Sequence, residues 1–196
     1  LKGKRVGIRS YSVTTTMRLR GILMNDHGLD IDSVQWVTTE EAHVAEFRDP
    51  PNVRRAPAGR DLLSMLFDGE LDAMVLADKT LKDPRLKRLI PEPEKAAQDW
   101  HARNRAIQIN HMVVVRDSLT KSSPDAVREV YRLLKEARRA APPPAPGELD
   151  MTPIGLDIMR RDLDIAIEYV YQQRLIPRRF KVDELFDDVT RKLDAS

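Results

Sequence analysis

Lys4-Arg5-Val6-Gly7-Ile8-Arg9-Ser10-Tyr11-Ser12-Val13-Thr14-Thr15-Thr16-Met17-Arg18-Leu19-Arg20-Gly21-Ile22-Leu23-Met24-Asn25 is the stretch on which the fold turns. Its first six residues alternate as a strand does, and Ser10-Tyr11-Ser12 breaks the alternation. From Thr14 to Asn25, Met17, Leu19, Ile22, Leu23 and Met24 suit a helix that His27-Gly28 stops. A strand running through a short polar turn into a helix is the opening of an α/β unit. The pattern then repeats. Val34–Val37 reads as a second strand, 48–60 as a loop through Pro50, Pro51, Pro57 and Gly59, Arg60–Phe67 as a short helix and Asp72–Ala77 as a buried strand. That order predicts mostly parallel strands.

The remainder departs from this pattern. Glu94–Arg103 reads as a helix and Ile107–Arg116 as a long apolar strand centred on Met112-Val113-Val114-Val115. Ser123 is a good N-cap with Pro124 at the first helical position, and the helix runs to about Arg139 with Val127, Val130, Tyr131 and Leu134 on one face. Pro142–Gly147 is a stiff connector. Asp157–Gln173 and Val182–Leu193 read as two more helices, the first with Leu163, Ile167, Val170 and Tyr171 inward. A helical tail with one strand needs other strands to pack on, and this stretch does not supply them.

Composition narrows the chemistry. The 196 residues include 33 Lys+Arg, 31 Asp+Glu, 4 His and no Cys, for a net charge of +2. Without Cys there is no disulfide scaffold, thiolate zinc site or cysteine nucleophile. The balance argues against a nucleic-acid footprint, which needs a clustered basic face. No apolar run approaches the ~18 residues of a membrane span. Residues 1–60 carry 10 basic and 7 acidic groups, an excess that fits a small anion better than a polyanion.

The candidate site follows from the opening stretch. Ligands of open α/β sheets bind beyond the carboxyl ends of strands, and a helix N-terminus offers free N–H groups and a positive dipole end. Ser10, Ser12, Thr14, Thr15 and Thr16 add hydroxyls, and Arg9 is suited to clamp a carboxylate. Ser and Thr also simply cap helix starts, and both readings stay open. No glycine-rich phosphate loop is present, which argues against a nucleotide. His111 follows Asn110 in the long strand and is a candidate acid, base or donor, although a satisfied core histidine fits too. His27 reads as a helix-end cap and His43 and His101 as surface residues, with His101 beside Trp100 also placed to edge a pocket. Asp78, just past a strand, is a further ligand candidate. No histidine pair has metal-ligand spacing, and nothing calls for a metal or cofactor.

Leu1-Lys2-Gly3-Lys4-Arg5-Val6-Gly7 and Asp68-Gly69-Glu70-Leu71-Asp72-Ala73 resemble motifs of the second lobe in type II periplasmic-binding-protein folds. More narrowly, Val6 to Leu23, Ile109-Asn110-His111-Met112-Val113-Val114-Val115, Pro153-Ile154-Gly155-Leu156 and Gln172 to Phe186 resemble the 4,5-dihydroxyphthalate decarboxylase family across nearly the whole chain. Gln108 and Ile154 depart from the Pro and Tyr that members often carry there. The resemblance implies two lobes with a ligand cleft. Residues 1–108 would be the α/β second lobe, and 109–196 a returning strand and helices of a first lobe that normally begins upstream of Leu1. It implies decarboxylation of an aromatic dicarboxylate, with no cofactor, in a cytoplasmic protein. Arg9 and the Ser10–Thr16 turn would hold the spectator carboxylate, Tyr11 or Asn110 would bond a phenol, and His111 would protonate the ring. The competing expectation is a periplasmic solute-binding protein for a small organic anion, and a regulatory effector domain is a third. The expected partner is a small anionic aromatic compound, without nucleic acid or membrane insertion, and a homo-oligomer remains open.

Overall fold

A computed structural model describes residues 1–76 and 83–195. By contacts the chain divides into two units. The first is Leu1–Pro91 with Tyr169–Pro177, and the second is Glu92–Glu168 with Arg178–Ser196.

The first unit is α/β. Among the described residues its sheet has four parallel strands in the order β3-β2-β1-β4. They are β1 (Arg5–Ile8), β2 (Gln35–Thr38), β3 (Val53–Arg55) and β4 (Ala73–Met74). In register, Val6 stands between Trp36 of β2 and Ala73 of β4. Helix α1 spans Thr14–His27 and α2 spans Leu62–Phe67. Gly28 ends α1 in the left-handed region at φ 62°, and its N–H reaches back to the last turn. Asp61 caps α2 by accepting from the N–H groups of Leu63 and Ser64. Val6, Ile8, Tyr11, Ile31, Val34 and Trp36 form one buried cluster, and Val37, Ala56, Leu62, Met65 and Leu71 form another. β3 falls inside the stretch expected to be a loop. Pro50 and Pro51 precede it and Pro57 follows it, and at the sheet edge Arg54 and Arg55 stay exposed while the backbone still pairs with β2.

The tail returns to this unit. Gln173 is buried, its Nε2 donates to Met17 O (2.8 Å), and its Oε1 accepts from Arg20 Nε (2.8 Å). Gly21 allows the approach: a Cβ there would stand 2.1 Å from Tyr169 Cδ2.

The second unit is helical. It holds α3 (Pro93–Asn104), α4 (Asp117–Ser122), α5 (Pro124–Ala140) and most of α6 (Leu156–Gln172). The strand expected over 107–116 is absent. The segment has no ladder partner among the described residues, and Val113 and Val114 are 76% and 88% exposed. High β-propensity makes no strand without a neighbour to bond. α4 was not anticipated. Ser123 precedes α5 as expected but makes no capping side-chain bond there. The helix expected over 182–193 is instead two 3-10 turns, Val182–Leu185 and Thr190–Ala195. Between them the Asp187 carboxylate accepts from the N–H groups of Val189 (3.1 Å) and Thr190 (2.8 Å), a local alternative to helical bonding.

Candidate functional site

The carboxyl end of β1 is held by the segment that follows β2. The carbonyl of Arg9 accepts from the backbone N–H groups of Thr39 (3.1 Å) and Glu40 (2.8 Å). Ser10 Oγ donates to Glu41 O (2.9 Å), and the backbone N–H of His43 donates to Ser12 Oγ (3.0 Å). With Thr39 Oγ1 also donating to Arg9 O (3.5 Å), segments 9–12 and 39–43 are joined by five hydrogen bonds among the described residues, two through backbone groups alone.

Within this frame the expected ligand residues separate into two groups. Tyr11 was expected to meet a substrate phenol but lies in the core at 1% exposure. Its ring stacks on Phe47 (6.2 Å between centroids) and meets Trp36 edge-on. The Arg20 guanidinium lies over the ring at 3.7 Å and donates to Tyr11 O (2.6 Å). Burial pushes the Tyr11 hydroxyl up from its ordinary pKa and pulls the Arg20 guanidinium down to about 10. Ser10 and Thr16 are buried too, and Thr16 Oγ1 lies 3.0 Å from Ser10 O and 2.9 Å from Val13 O. These three residues shape the turn from inside.

Arg9, Ser12, Thr14 and Thr15 remain on its outer side, half-buried or exposed. No side chain caps the start of α1, where Val13 holds the N-cap position. The first helical bond runs from Met17 N to Val13 O, which leaves the N–H groups of Thr14, Thr15 and Thr16 at a positive dipole end. Of the two readings left open by the sequence, hydroxyl capping by the N-cap residue does not occur. Arg9 Nε stands 3.3 Å from Glu40 Oε2. The same Glu40 oxygen lies 3.2 Å from His43 Nε2. Glu40 and His43 were missed from sequence because both sit in a polar stretch without periodicity. Only the pairing of β1 with β2 carries them to this turn.

Asn110 and His111 belong to the second unit, on the unpaired segment, and both side chains are exposed. His111 is therefore not a core histidine. His101 is tied locally, its Nδ1 lying 2.8 Å from Ala106 O. Asp78 lies outside the described residues. A cavity of about 560 Å³ in the second unit is bordered by His101, Arg105, Arg139, Asp150, Ile107 and Ile154, so His101 does edge a pocket, but Arg9, the Ser10–Thr16 turn, Asn110 and His111 do not. Among the described residues no group of three or more His, Asp or Glu is placed to hold a metal ion. No described helix is long and apolar enough to cross a membrane.

No protein-family profile matches the chain. A curated 4,5-dihydroxyphthalate decarboxylase of Comamonas testosteroni is 30% identical over 137 residues, covering 63% of this chain and 41% of the relative. One of the same name from Pseudomonas putida is 34% identical over 112 residues, covering 52% and 43%. The chain thus spans about two fifths of the length of the curated relatives it matches, at a similarity that marks a family-level relationship to them.

Proposed function

We propose that this chain takes part in decarboxylating an aromatic dicarboxylate of the 4,5-dihydroxyphthalate kind to a dihydroxybenzoate. The observation that carries the reading is the uncapped start of α1 beside Arg9, at the carboxyl end of a parallel strand. Backbone N–H groups and a guanidinium there suit the carboxylate that stays on the ring. The names of the two relatives support the reaction type.

In this reading the spectator carboxylate rests on the N–H groups of Thr14–Thr16, with the Thr14 and Thr15 hydroxyls and the Arg9 Nη atoms around it. Asp78 is kept as a further ligand, and Asn110 stays the sequence-based candidate for a phenolic oxygen. A histidine supplies the proton to the ring carbon that loses CO2. Histidine suits this step because imidazole changes charge near neutral pH. His111 is the donor expected from sequence. The architecture that accompanies the reading has residues 1–108 as a second lobe and 109–196 as part of a first. The exposure of Val113 and Val114 on a segment without ladder partners among the described residues supports that division.

The test is incubation of the chain with 4,5-dihydroxyphthalate, with CO2 release and heat of binding both measured. The expected result is turnover in the parent chain and an affinity about tenfold weaker in Arg9→Ala, in line with loss of one charge-assisted bond. Binding without CO2 release would sink the decarboxylase reading.

A further inference from the structure

His43 reads as a surface residue from sequence, yet its surroundings fix its position. Its backbone N–H is bonded to Ser12 Oγ, two residues before α1, and its ring is turned toward Glu40. An ionised carboxylate only accepts, so Nε2 must carry the proton of that contact. Nδ1 is left without a partner among the described residues. The side chain is 46% exposed and so reachable from solvent. Glu40 is itself braced by Arg9 and by its own backbone bond to Arg9 O. His111, by contrast, makes no hydrogen bond or ion pair among the described residues and stands on a segment without ladder partners.

We infer that His43, with its ring positioned by Glu40, is the proton donor of this site. The inference rests on the decarboxylase reading. A ring hydroxyl pushes its electron pair into the ring, and the carbon bearing the departing carboxylate takes the proton from imidazolium Nδ1. The bond from that carbon to the carboxylate then breaks, its electron pair restores the aromatic ring, and CO2 leaves. The ring gains one C–H bond and loses one C–C bond. The neutral imidazole regains its proton from water. Glu40 holds Nε2–H throughout and so presents Nδ1 to the substrate. It is a positioning residue.

The experiment compares the parent chain with His43→Gln, His111→Ala and Glu40→Gln, using 4,5-dihydroxyphthalate as the probe. CO2 release, binding by calorimetry and the ¹⁵N shifts of the histidine rings are read in each. General acid catalysis is typically worth ~10²–10⁴-fold. His43→Gln is therefore expected to lower turnover at least about a hundredfold with affinity within about threefold. Glu40→Gln is expected to lower turnover about tenfold and to shift the His43 tautomer balance, which lost packing alone does not move. Turnover kept in His43→Gln but lost in His111→Ala overturns the inference and leaves the reaction standing. A bound probe that leaves the His43 ring shifts unchanged overturns it without any need for turnover. A parent chain that binds the probe and releases no CO2 overturns the reaction and the donor assignment together.

Discussion

Val37 and Val114 sit in similar short apolar runs and meet opposite fates. Val37 is fully buried in β2, between β1 and β3, while Val114 is 88% exposed on a segment with no ladder partner among the described residues. The contrast holds across the two units. The difference is one of degree: the first closes two apolar clusters around its sheet while exposing Val44 and Leu89, and the second buries Trp100, Val127, Leu163 and Ile167 but leaves Met112, Val113, Val130, Leu133, Leu134 and Ile158 41% to 76% exposed. Apolar pattern alone therefore does not make a core. Neighbours that complete the backbone bonds and cover the faces do.

The contrast can be broken at four points, in falling order of effect. Gly21→Ala would drive a methyl into the Tyr169 ring and push the tail away from α1. Overpacking of this kind costs about 3 kcal/mol, and chemical denaturation followed through tryptophan fluorescence would measure it. A loss under about 0.5 kcal/mol would show that the tail segment does not brace the first unit. Next comes the matched pair of valines. Val37→Ala should cost about 2 kcal/mol by transfer and cavity together. Val114→Ala should stay within about 0.5 kcal/mol. Equal losses in the same denaturation series would erase the distinction between the units.

The smallest effect concerns acid. Asp72 accepts from the Arg5 side chain at Nε (3.0 Å) and from its backbone N–H (2.8 Å), which ties the start of β1 to the residue before β4. The hydrogen bond from the Arg5 guanidinium, with the backbone bond behind it, pulls the Asp72 carboxyl from 3.8 down to about 2. A depressed carboxyl stabilises the fold above its unfolded value, so this contribution is present at neutral pH. It is lost as pH falls from about 4 through about 2. Asp72→Asn should lower Tm by about a degree or less at pH 7, and the gap should shrink toward zero as pH falls through about 2. An equal gap at both pH values would show that the charge is not what matters.

Much of the first unit was legible from local signals. β1, α1 with its Gly28 stop, β2 and α2 fall within a residue or two of expectation, because each carries its own period and terminator. β3 was hidden by prolines, and its existence depends on a neighbour supplied by β2. The site was half legible. A strand running into a hydroxyl-rich helix start pointed to the turn after β1. The division of that turn into buried Ser10, Tyr11 and Thr16 and outward Arg9, Ser12, Thr14 and Thr15 follows from which side meets the core.

By itself the sequence determined the α/β character of the opening residues, the near-neutral charge and the anion-suited turn, since periodicity, capping and composition are local properties. Tertiary structure decided that Tyr11 belongs to the core and that Glu40 and His43 stand beside Arg9. It also decided that Val113 and Val114 pair with nothing among the described residues. Those outcomes depend on which distant segments share hydrogen bonds and cover one another's faces, and no local pattern encodes that partner.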